Sequence, residues 1–169
     1  AAALARVRLA AWLLASGPAP AERFAAREWH AALDRALADG ADGEDAAVQV
    51  RDSLLDPGDD RFEMVVANPP YITPKDAEQR AAIRAAFASA SGKYGLHGPF
   101  IEATLTRWLQ PGGFTAQIVS NNFQKREWGR ALIEDVIAAG DLRFVTDTSG
   151  AFIPGHGTPT CILGLRGFR

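Results

Sequence analysis

The run Asn68-Pro69-Pro70-Tyr71 combines residue types that suit chemistry on an amino group. Its two prolines lack backbone N–H groups and restrict the dihedral angles before them, so the loop is stiff and nearby carbonyl oxygens remain available as acceptors. The side-chain oxygen of Asn68 and the carbonyl of Pro69 can accept from both N–H bonds of one amine. Such acceptors can direct the lone pair of an adenine amino group at a methyl donor, and Tyr71 offers a flat face for an extruded base.

The same four residues also fit an ordinary turn, because Asn and Pro are among the commonest turn residues. Three neighbouring features favour the chemical interpretation. An apolar strand pattern, Phe62–Ala67, runs directly into the motif, the aromatic Tyr71 ends it, and the acidic residue Asp52 follows an earlier strand pattern.

The elements around the motif predict where it lies in the fold. From residue 46 onward, short β-rich runs alternate with helical segments, which is typical of an α/β domain with a largely parallel sheet. The predicted strands cover residues 47–51, 62–67, 114–120, 142–147 and 160–165, and the predicted helices cover residues 74–89, 99–109 and 127–139.

The connection between the last two predicted strands, residues 148–159, is too short for a usual crossover helix. We therefore expect the final strand to be antiparallel. In parallel α/β sheets, ligands bind at the carboxyl ends of the strands, and Asn68 follows its strand at that end.

The first 45 residues have helical patterns and no alternating strands. Ala-rich helical patterns cover residues 1–15 and 22–37, so we predict a helical segment over residues 1–45 that leads into a catalytic part over residues 46–169. The first pattern starts with no capping residue, which favours a piece of a longer polypeptide.

The composition is that of a folded globular protein, with 169 residues, 47% of them hydrophobic and 22% charged. The apolar stretch of residues 9–15 is too short to span a bilayer and no signal-peptide pattern follows the early arginines, so we expect a cytoplasmic protein without a membrane partner. The single cysteine, Cys161, has apolar neighbours and is predicted to be buried in a strand.

The net charge of −2 and the pI near 5.9 leave little surplus for neutralising phosphates. Local basic patches such as Lys125 with Arg126, or the end at residues 166–169, are one source of DNA affinity. A separate region outside this chain is the other source, and we favour it.

The three histidines are dispersed, and together with one cysteine they do not spell out a zinc site, so no metal is predicted. His97 precedes Gly98-Pro99, where turn chemistry accounts for it. His156 lies in a loop expected to face the strand ends, where it either contacts the substrate or has a structural role. Asp147 is either a neighbour of the site or a turn cap.

Residues 65–72 resemble motif IV of the gamma-type amino-methyltransferases that act on adenine in DNA. Four later segments are similar to the phage-growth-limitation (PglX-type) methyltransferases of BREX defence systems. These segments are Gly92-Lys93-Tyr94 with Phe100-Ile101-Glu102, residues 109–114, residues 125–129, and the long block of residues 147–160.

This resemblance implies a partial Rossmann-like, class I methyltransferase fold and a site-specific DNA adenine N6-methyltransferase in a phage-defence or restriction–modification system. It further implies S-adenosyl-L-methionine as cofactor, duplex DNA with a flipped adenine as substrate, and other defence-system proteins as partners.

The resemblance also implies roles for single residues. The catalytic motif consists of Asn68, Pro69, Pro70 and Tyr71. The cofactor is bound by Asp52, Ser53 and Asn68, and Asp52 would accept from the amino group of the cofactor's adenine. A second stacking face comes from Phe123 or Trp128. For both aromatics the alternative is a core position, and we prefer Trp128 as the stacking residue.

The chain departs from the family pattern before Asp52. The glycine-rich cofactor loop and the acidic residue after the second strand have no counterpart there, since Gly17 and Gly40 are isolated. We therefore expect weak cofactor binding by the chain alone. Two alternatives stay open: a methyltransferase acting on protein glutamine or RNA, and a non-catalytic component of a defence complex.

Overall fold

The computed structural model describes residues 51–150 and 157–168. From Asp52 onward, the described residues belong to one compact unit. The predicted helical segment over residues 1–45 lies outside the described residues, as does the strand predicted over residues 47–51 except for Arg51, which is in a bend.

In the described part of the chain, four strands form one sheet: β1 (Phe62–Ala67), β2 (Leu109–Ser120), β3 (Asp141–Asp147) and β4 (Thr160–Arg166). Their order in the sheet is β1-β2-β4-β3. The pair β1 and β2 is parallel, whereas β4 is antiparallel to both β2 and β3. Three strands thus point one way and the final strand runs against them, which confirms the predicted fold class and the antiparallel final strand.

Strand β2 begins five residues earlier than predicted. Its first residue, Leu109, was expected to end a helix, but it pairs with Phe62, and the next pair joins Phe114 to Met64. The Gln-Pro-Gly-Gly segment between them forms an irregularity in the ladder, with Gly112 at a φ of +74°. A proline and a left-handed glycine interrupt the pairing here without ending the strand.

The first helix, α1 (Ala77–Ala86), is shorter at both ends than the predicted range 74–89. Its start is set by Asp76, whose side chain accepts from the backbone N–H of Gln79 at 2.7 Å. Beyond its end, the carboxylate of Glu102 accepts from the backbone N–H groups of Ala88 and Ser89. These two carboxylates bind backbone groups that the helix itself leaves unpaired.

Two further helices begin as α-helix and continue as π-helix. Helix α2 (His97–Ala103) continues over Thr104–Trp108, and α3 (Gly129–Ala131) continues over Leu132–Ile137, both within one or two residues of the predicted ranges. A 3-10 turn that the sequence did not predict, Asn121–Gln124, follows β2 directly.

The apolar core lies between these helices and the sheet. Leu132, Leu163 and Leu165 have no more than 1% of their surface exposed. A polar contact crosses the core as well, because the amide of Gln117 on β2 donates to the hydroxyl of Thr104 at 2.9 Å. This contact joins β2 to the helix before it.

Strand β1 lies at the edge of this four-stranded sheet, with β2 as its one neighbour among the described strands. Its apolar side chains are largely uncovered: Met64 is 64% and Val66 75% exposed. Both are residue types that normally lie inside a parallel sheet. In the described part of the chain no helix is long and apolar enough to cross a membrane.

Candidate active site

The Asn-Pro-Pro-Tyr run forms the loop at the carboxyl end of β1, as the sequence predicted. The Tyr71 hydroxyl donates to the side-chain oxygen of Asn68 at 2.8 Å and lies 3.2 Å from the carbonyl oxygen of Ile118 on the neighbouring strand β2. The loop is therefore closed on itself and lies against the sheet.

A second segment of the chain, at Gly95 and Leu96, packs against this loop. The backbone N–H of Leu96 donates to the Ile72 carbonyl at 2.9 Å. Gly95 makes the approach possible, since a Cβ at this position would lie 3.3 Å from the carbonyl oxygen of Tyr71 and 2.7 Å from Nδ1 of His97. Pro69 is buried, whereas Asn68 is exposed.

Asn68 keeps capacity to bind a further donor. An amide oxygen has two lone pairs, and the Tyr71 hydroxyl uses one of them. The other is available on an exposed side chain whose direction the tyrosine fixes. The backbone carbonyl of Pro69 follows directly in a segment that two prolines keep stiff. The geometry thus presents one preoriented acceptor with a second acceptor beside it.

Tyr71 stays protonated across the physiological range. Burial raises the pKa of its hydroxyl above the usual 10, and the negative charge that Cys161 would carry raises this pKa further. A neutral hydroxyl can donate to Asn68, whereas a phenolate would repel its oxygen. The hydrogen bond that orients Asn68 is therefore insensitive to pH near neutrality.

An aromatic cluster centred on His97 lies behind Tyr71. The His97 ring makes edge contacts with Tyr71, Trp128 and Phe123, with ring centroids 5.7, 5.2 and 6.4 Å apart. Phe123 is 3% and Trp128 8% exposed. Both residues predicted as second stacking faces therefore lie in the core around His97, and of the three aromatic candidates only Tyr71 is partly exposed.

His97 is the member of this site that the sequence did not identify. Its side chain is fully buried, and neither ring nitrogen meets hydrogen-bond geometry with the residues that the structure describes. Burial lowers the pKa of His97 from 6.5 to about 4, against an opposing effect of the nearby Asn122 side chain. The imidazole is therefore neutral at physiological pH and acts as a ring in an aromatic cluster.

Asp52 and Ser53, predicted to bind cofactor, lie in a turn that Asp52 itself organises. One carboxylate oxygen of Asp52 accepts from the backbone N–H groups of Leu54 and Leu55, each at 2.9 Å. Asp52 is exposed, and both of these bonds go to the same carboxylate oxygen. Among the described residues no hydrogen bond joins this turn to the Asn68 loop.

Of the remaining residues singled out in the sequence, the structure describes Asp147 and Cys161 but not His156. Asp147 caps a turn, since one carboxylate oxygen accepts from both the backbone N–H and the hydroxyl of Ser149, and these bonds lower the pKa of Asp147. Cys161 is buried in β4, as predicted. His156 lies outside the described residues, and the described part holds no group of three or more potential metal ligands.

Sequence comparison places these observations in a family. The profile of the Eco57I restriction-modification methylases matches residues 6–151. The chain is 44% identical over 117 residues to the adenine-specific methyltransferase PglX of Streptomyces coelicolor. That match covers 65% of this chain and 10% of the relative, so the chain spans about a tenth of that protein.

Comparison with solved structures shows the class I methyltransferase fold. A Listeria monocytogenes protein described as a class I S-adenosylmethionine-dependent methyltransferase has a TM-score of 0.53 at 16% identity, covering 65% of this chain and 33% of its own. The M protein of the type I restriction enzyme EcoKI has a TM-score of 0.52 at 18% identity, covering 72% and 24%.

Proposed function

The chain belongs to the Eco57I restriction-modification methylase family, and from this premise we propose that it forms the catalytic, substrate-side part of a DNA adenine N6-methyltransferase. The methyl donor is S-adenosyl-L-methionine. Because the chain spans about a tenth of its PglX relative, the activity is that of the complete polypeptide that carries this sequence.

The hydrogen bond between Tyr71 and Asn68 carries the proposal. It fixes an exposed amide oxygen at the carboxyl end of β1, where α/β enzymes bind their ligands. The adenine amino group has two N–H donors, which pair with the Asn68 oxygen and the Pro69 carbonyl. Hydrogen bonding to both N–H groups draws the nitrogen lone pair out of conjugation with the ring and directs it at the incoming methyl carbon.

The cofactor supplies an electrophilic methyl group bound to a positively charged sulfur. In our proposal Asp52, Ser53 and Asn68 face it. The exposed carboxylate oxygen of Asp52 suits the amino group of the cofactor's adenine, because its other oxygen is already bound by two backbone N–H groups and holds the carboxylate in place. Ser53 is exposed beside it.

The target adenine must leave the DNA stack to reach Asn68, and the exposed part of the Tyr71 ring is the surface on which it stacks. Phe123 and Trp128 support this face indirectly, through their contacts with His97. The partners we propose are duplex DNA and other proteins of a phage-defence or restriction–modification system.

The test is methyl transfer from radiolabelled S-adenosylmethionine by the complete polypeptide, with DNA, RNA and protein as acceptors. We expect label in the adenine of DNA. Asn68→Ala should reduce the rate by about 100-fold or more, since it removes a preorganised acceptor from the reacting amine. Gln79→Ala is the matched control, because it deletes an exposed side-chain amide on α1, away from the motif.

Three outcomes would contradict the proposal. Label in protein or RNA alone would point to another substrate class. Full activity of Asn68→Ala would remove the motif from the chemistry. Tight cofactor binding without transfer to any acceptor would favour the non-catalytic alternative.

A further inference from the structure

An open cleft of about 610 Å³ lies between two loops. The first loop contributes Ser91, Gly92 and Lys93, and the second contributes Arg126, Glu127 and Trp128. A cleft of this volume accommodates a group as large as a nucleotide. We refer to it as the Lys93–Arg126 cleft.

The backbone of the cleft is held in place by hydrogen bonds from both sides. The Ser91 hydroxyl donates to the Trp128 carbonyl at 3.3 Å and joins the two loops. The Arg84 guanidinium donates to the Gly92 carbonyl at 2.7 Å, and the Gly129 N–H donates to the Arg126 carbonyl at 3.0 Å. The side chains of Lys93 and Arg126 therefore project from fixed positions.

The cationic groups of the cleft are available for a ligand. Lys93 and Arg126 are exposed, and within residues 51–150 and 157–168 neither of them takes part in an ion pair. The ion pairs of the described part join Arg130 to Glu134 and Arg143 to Asp141. Among the described residues that line the cleft, two cations, Lys93 and Arg126, therefore stand against one acid, Glu127.

The cleft is connected to the proposed adenine site through one aromatic layer. Trp128 lines the cleft with part of its surface, and its ring contacts His97 at 5.2 Å between centroids. His97 in turn contacts Tyr71 at 5.7 Å. The Trp128 and His97 rings thus lie between a ligand bound in the cleft and the base-stacking residue Tyr71.

We propose that the Lys93–Arg126 cleft binds a phosphodiester of the DNA strand that carries the target adenine. This inference rests on the proposed function. Among repeating polymers, nucleic acid supplies a negative charge at each link, and two cations on a fixed backbone suit such a charge whatever the base sequence. The cleft gives a chain of net charge −2 a local site for the DNA backbone.

The test compares the complete wild-type polypeptide with the double variant Lys93→Gln/Arg126→Gln. A fluorescein-labelled duplex is titrated at several salt concentrations between about 50 and 200 mM. We expect weaker binding of every duplex sequence, and a slope of log K against log salt that is smaller by about 1 for each lost contact. The affinity for S-adenosylmethionine should be unchanged.

Two single variants sharpen the assignment. Glu127→Gln removes the one acid among the described residues that line the cleft, so it should tighten DNA binding. Arg143→Gln removes an equal positive charge from a side chain that is paired on β3, and it should leave the salt slope unchanged. Thermal unfolding of each variant, equal to that of the wild type, would exclude misfolding as the cause.

A salt slope unaltered by the double variant would overturn the inference, as would a loss of affinity confined to RNA of the same sequence. These results are distinct from a failure of the proposed function, which appears as DNA adenine methylation retained by Asn68→Ala. If the enzyme methylated protein and the double variant still lost DNA affinity, DNA adenine methylation would be refuted. Phosphodiester binding in the Lys93–Arg126 cleft would stand.

Discussion

The Tyr71 hydroxyl donates to the side-chain oxygen of Asn68 at 2.8 Å, so the last residue of the motif orients the first. The two intervening prolines limit the backbone conformations of the loop, and the hydrogen bond limits the rotation of the amide. Neither constraint uses the second lone pair of the oxygen. The loop therefore holds an acceptor ready for an incoming N–H donor, and little ordering remains to be done when the base arrives.

Removing the Tyr71 hydroxyl alone tests this relationship. Tyr71→Phe keeps the ring and deletes the donor, so Asn68 loses its fixed orientation while the stacking face remains. We expect turnover to fall by about tenfold, the equivalent of one hydrogen bond worth about 1.4 kcal/mol, with little change in DNA affinity. Steady-state methylation of a duplex measures both quantities.

The second tyrosine of the chain is the matched control. Tyr94 is buried, and its hydroxyl donates to the Arg80 carbonyl, away from Asn68. Tyr94→Phe deletes the same group and should leave turnover within about twofold of wild type after correction for stability. Equal losses in the two variants would mean that the Tyr71 hydroxyl has only a structural role.

His97 makes the stability of the fold sensitive to acid. Its pKa is about 4 in the folded protein and 6.5 when unfolded. Above pH 6.5 both states are neutral and the contribution of His97 is complete. As the pH falls from 6.5 to 4, the His97 imidazole binds a proton in the unfolded state but not in the folded state. The free energy of unfolding therefore decreases by about 3 kcal/mol in total.

His97→Phe removes this titration and keeps a ring in the cluster. At pH 7 the variant should have a free energy of unfolding within about 1 kcal/mol of wild type, because two buried nitrogens without partners are lost with the imidazole. Urea unfolding at pH 7 and pH 5 should show a smaller pH difference in the variant. Identical pH dependence of the two proteins would assign the acid sensitivity to other groups.

Gly129 allows the loop between Phe123 and Trp128 to close. A Cβ at this position would collide with the carbonyl oxygen of Phe123 and lie 2.6 Å from its carbonyl carbon, which is backbone and cannot rotate away. Gly129→Ala should destabilise the fold by about 1 to 3 kcal/mol and disturb the aromatic cluster. Denaturant unfolding and tryptophan fluorescence measure the two effects.

Gly150 is the matched control for this substitution. A Cβ at Gly150 would meet no atom of the described residues within 4 Å, so Gly150→Ala should be tolerated. A free energy of unfolding that is the same for both alanine variants would show that the Phe123 backbone can relax around the added methyl group.

The strand pattern at residues 62–67 predicted β1 with its observed bounds, because an apolar run there ends at Asn68-Pro69, where the chain must turn. The start of β2 could not be predicted in the same way. Pro111 and Gly112 are local signals for a break, and only pairing with Phe62, 47 residues away in sequence, extends the strand to Leu109. Tertiary hydrogen bonding outweighs local propensity at that point.

The candidate site also combines a part that local sequence predicts with a part that depends on tertiary contacts. Asn68 and Tyr71 are three residues apart, so a loop that brings them together is readable from the sequence. His97 reaches Tyr71 only because the loop before α2 packs under the motif and Gly95 permits the approach. A histidine followed by Gly-Pro carries no local sign of this packing, so the local pattern predicted only a turn role for His97.

The thiol of Cys161 should be inert in the folded protein. Burial, and secondarily the negative charge of Asp147, raise the pKa of this thiol from 9 to about 11, and only 1% of the residue is exposed. Since the thiolate is the reactive form, modification by a disulfide reagent at pH 8 should be about a hundredfold slower than that of a free cysteine.

The single cysteine makes this measurement quantitative, because one equivalent must react after unfolding in urea. Asp147→Asn removes the secondary cause and leaves the burial, so it should accelerate the reaction only slightly. Rapid labelling of the native wild type would mean that the pairing of β4 with its two neighbours opens readily near Cys161. A large acceleration in Asp147→Asn would instead rank the carboxylate above burial as the cause of the raised pKa.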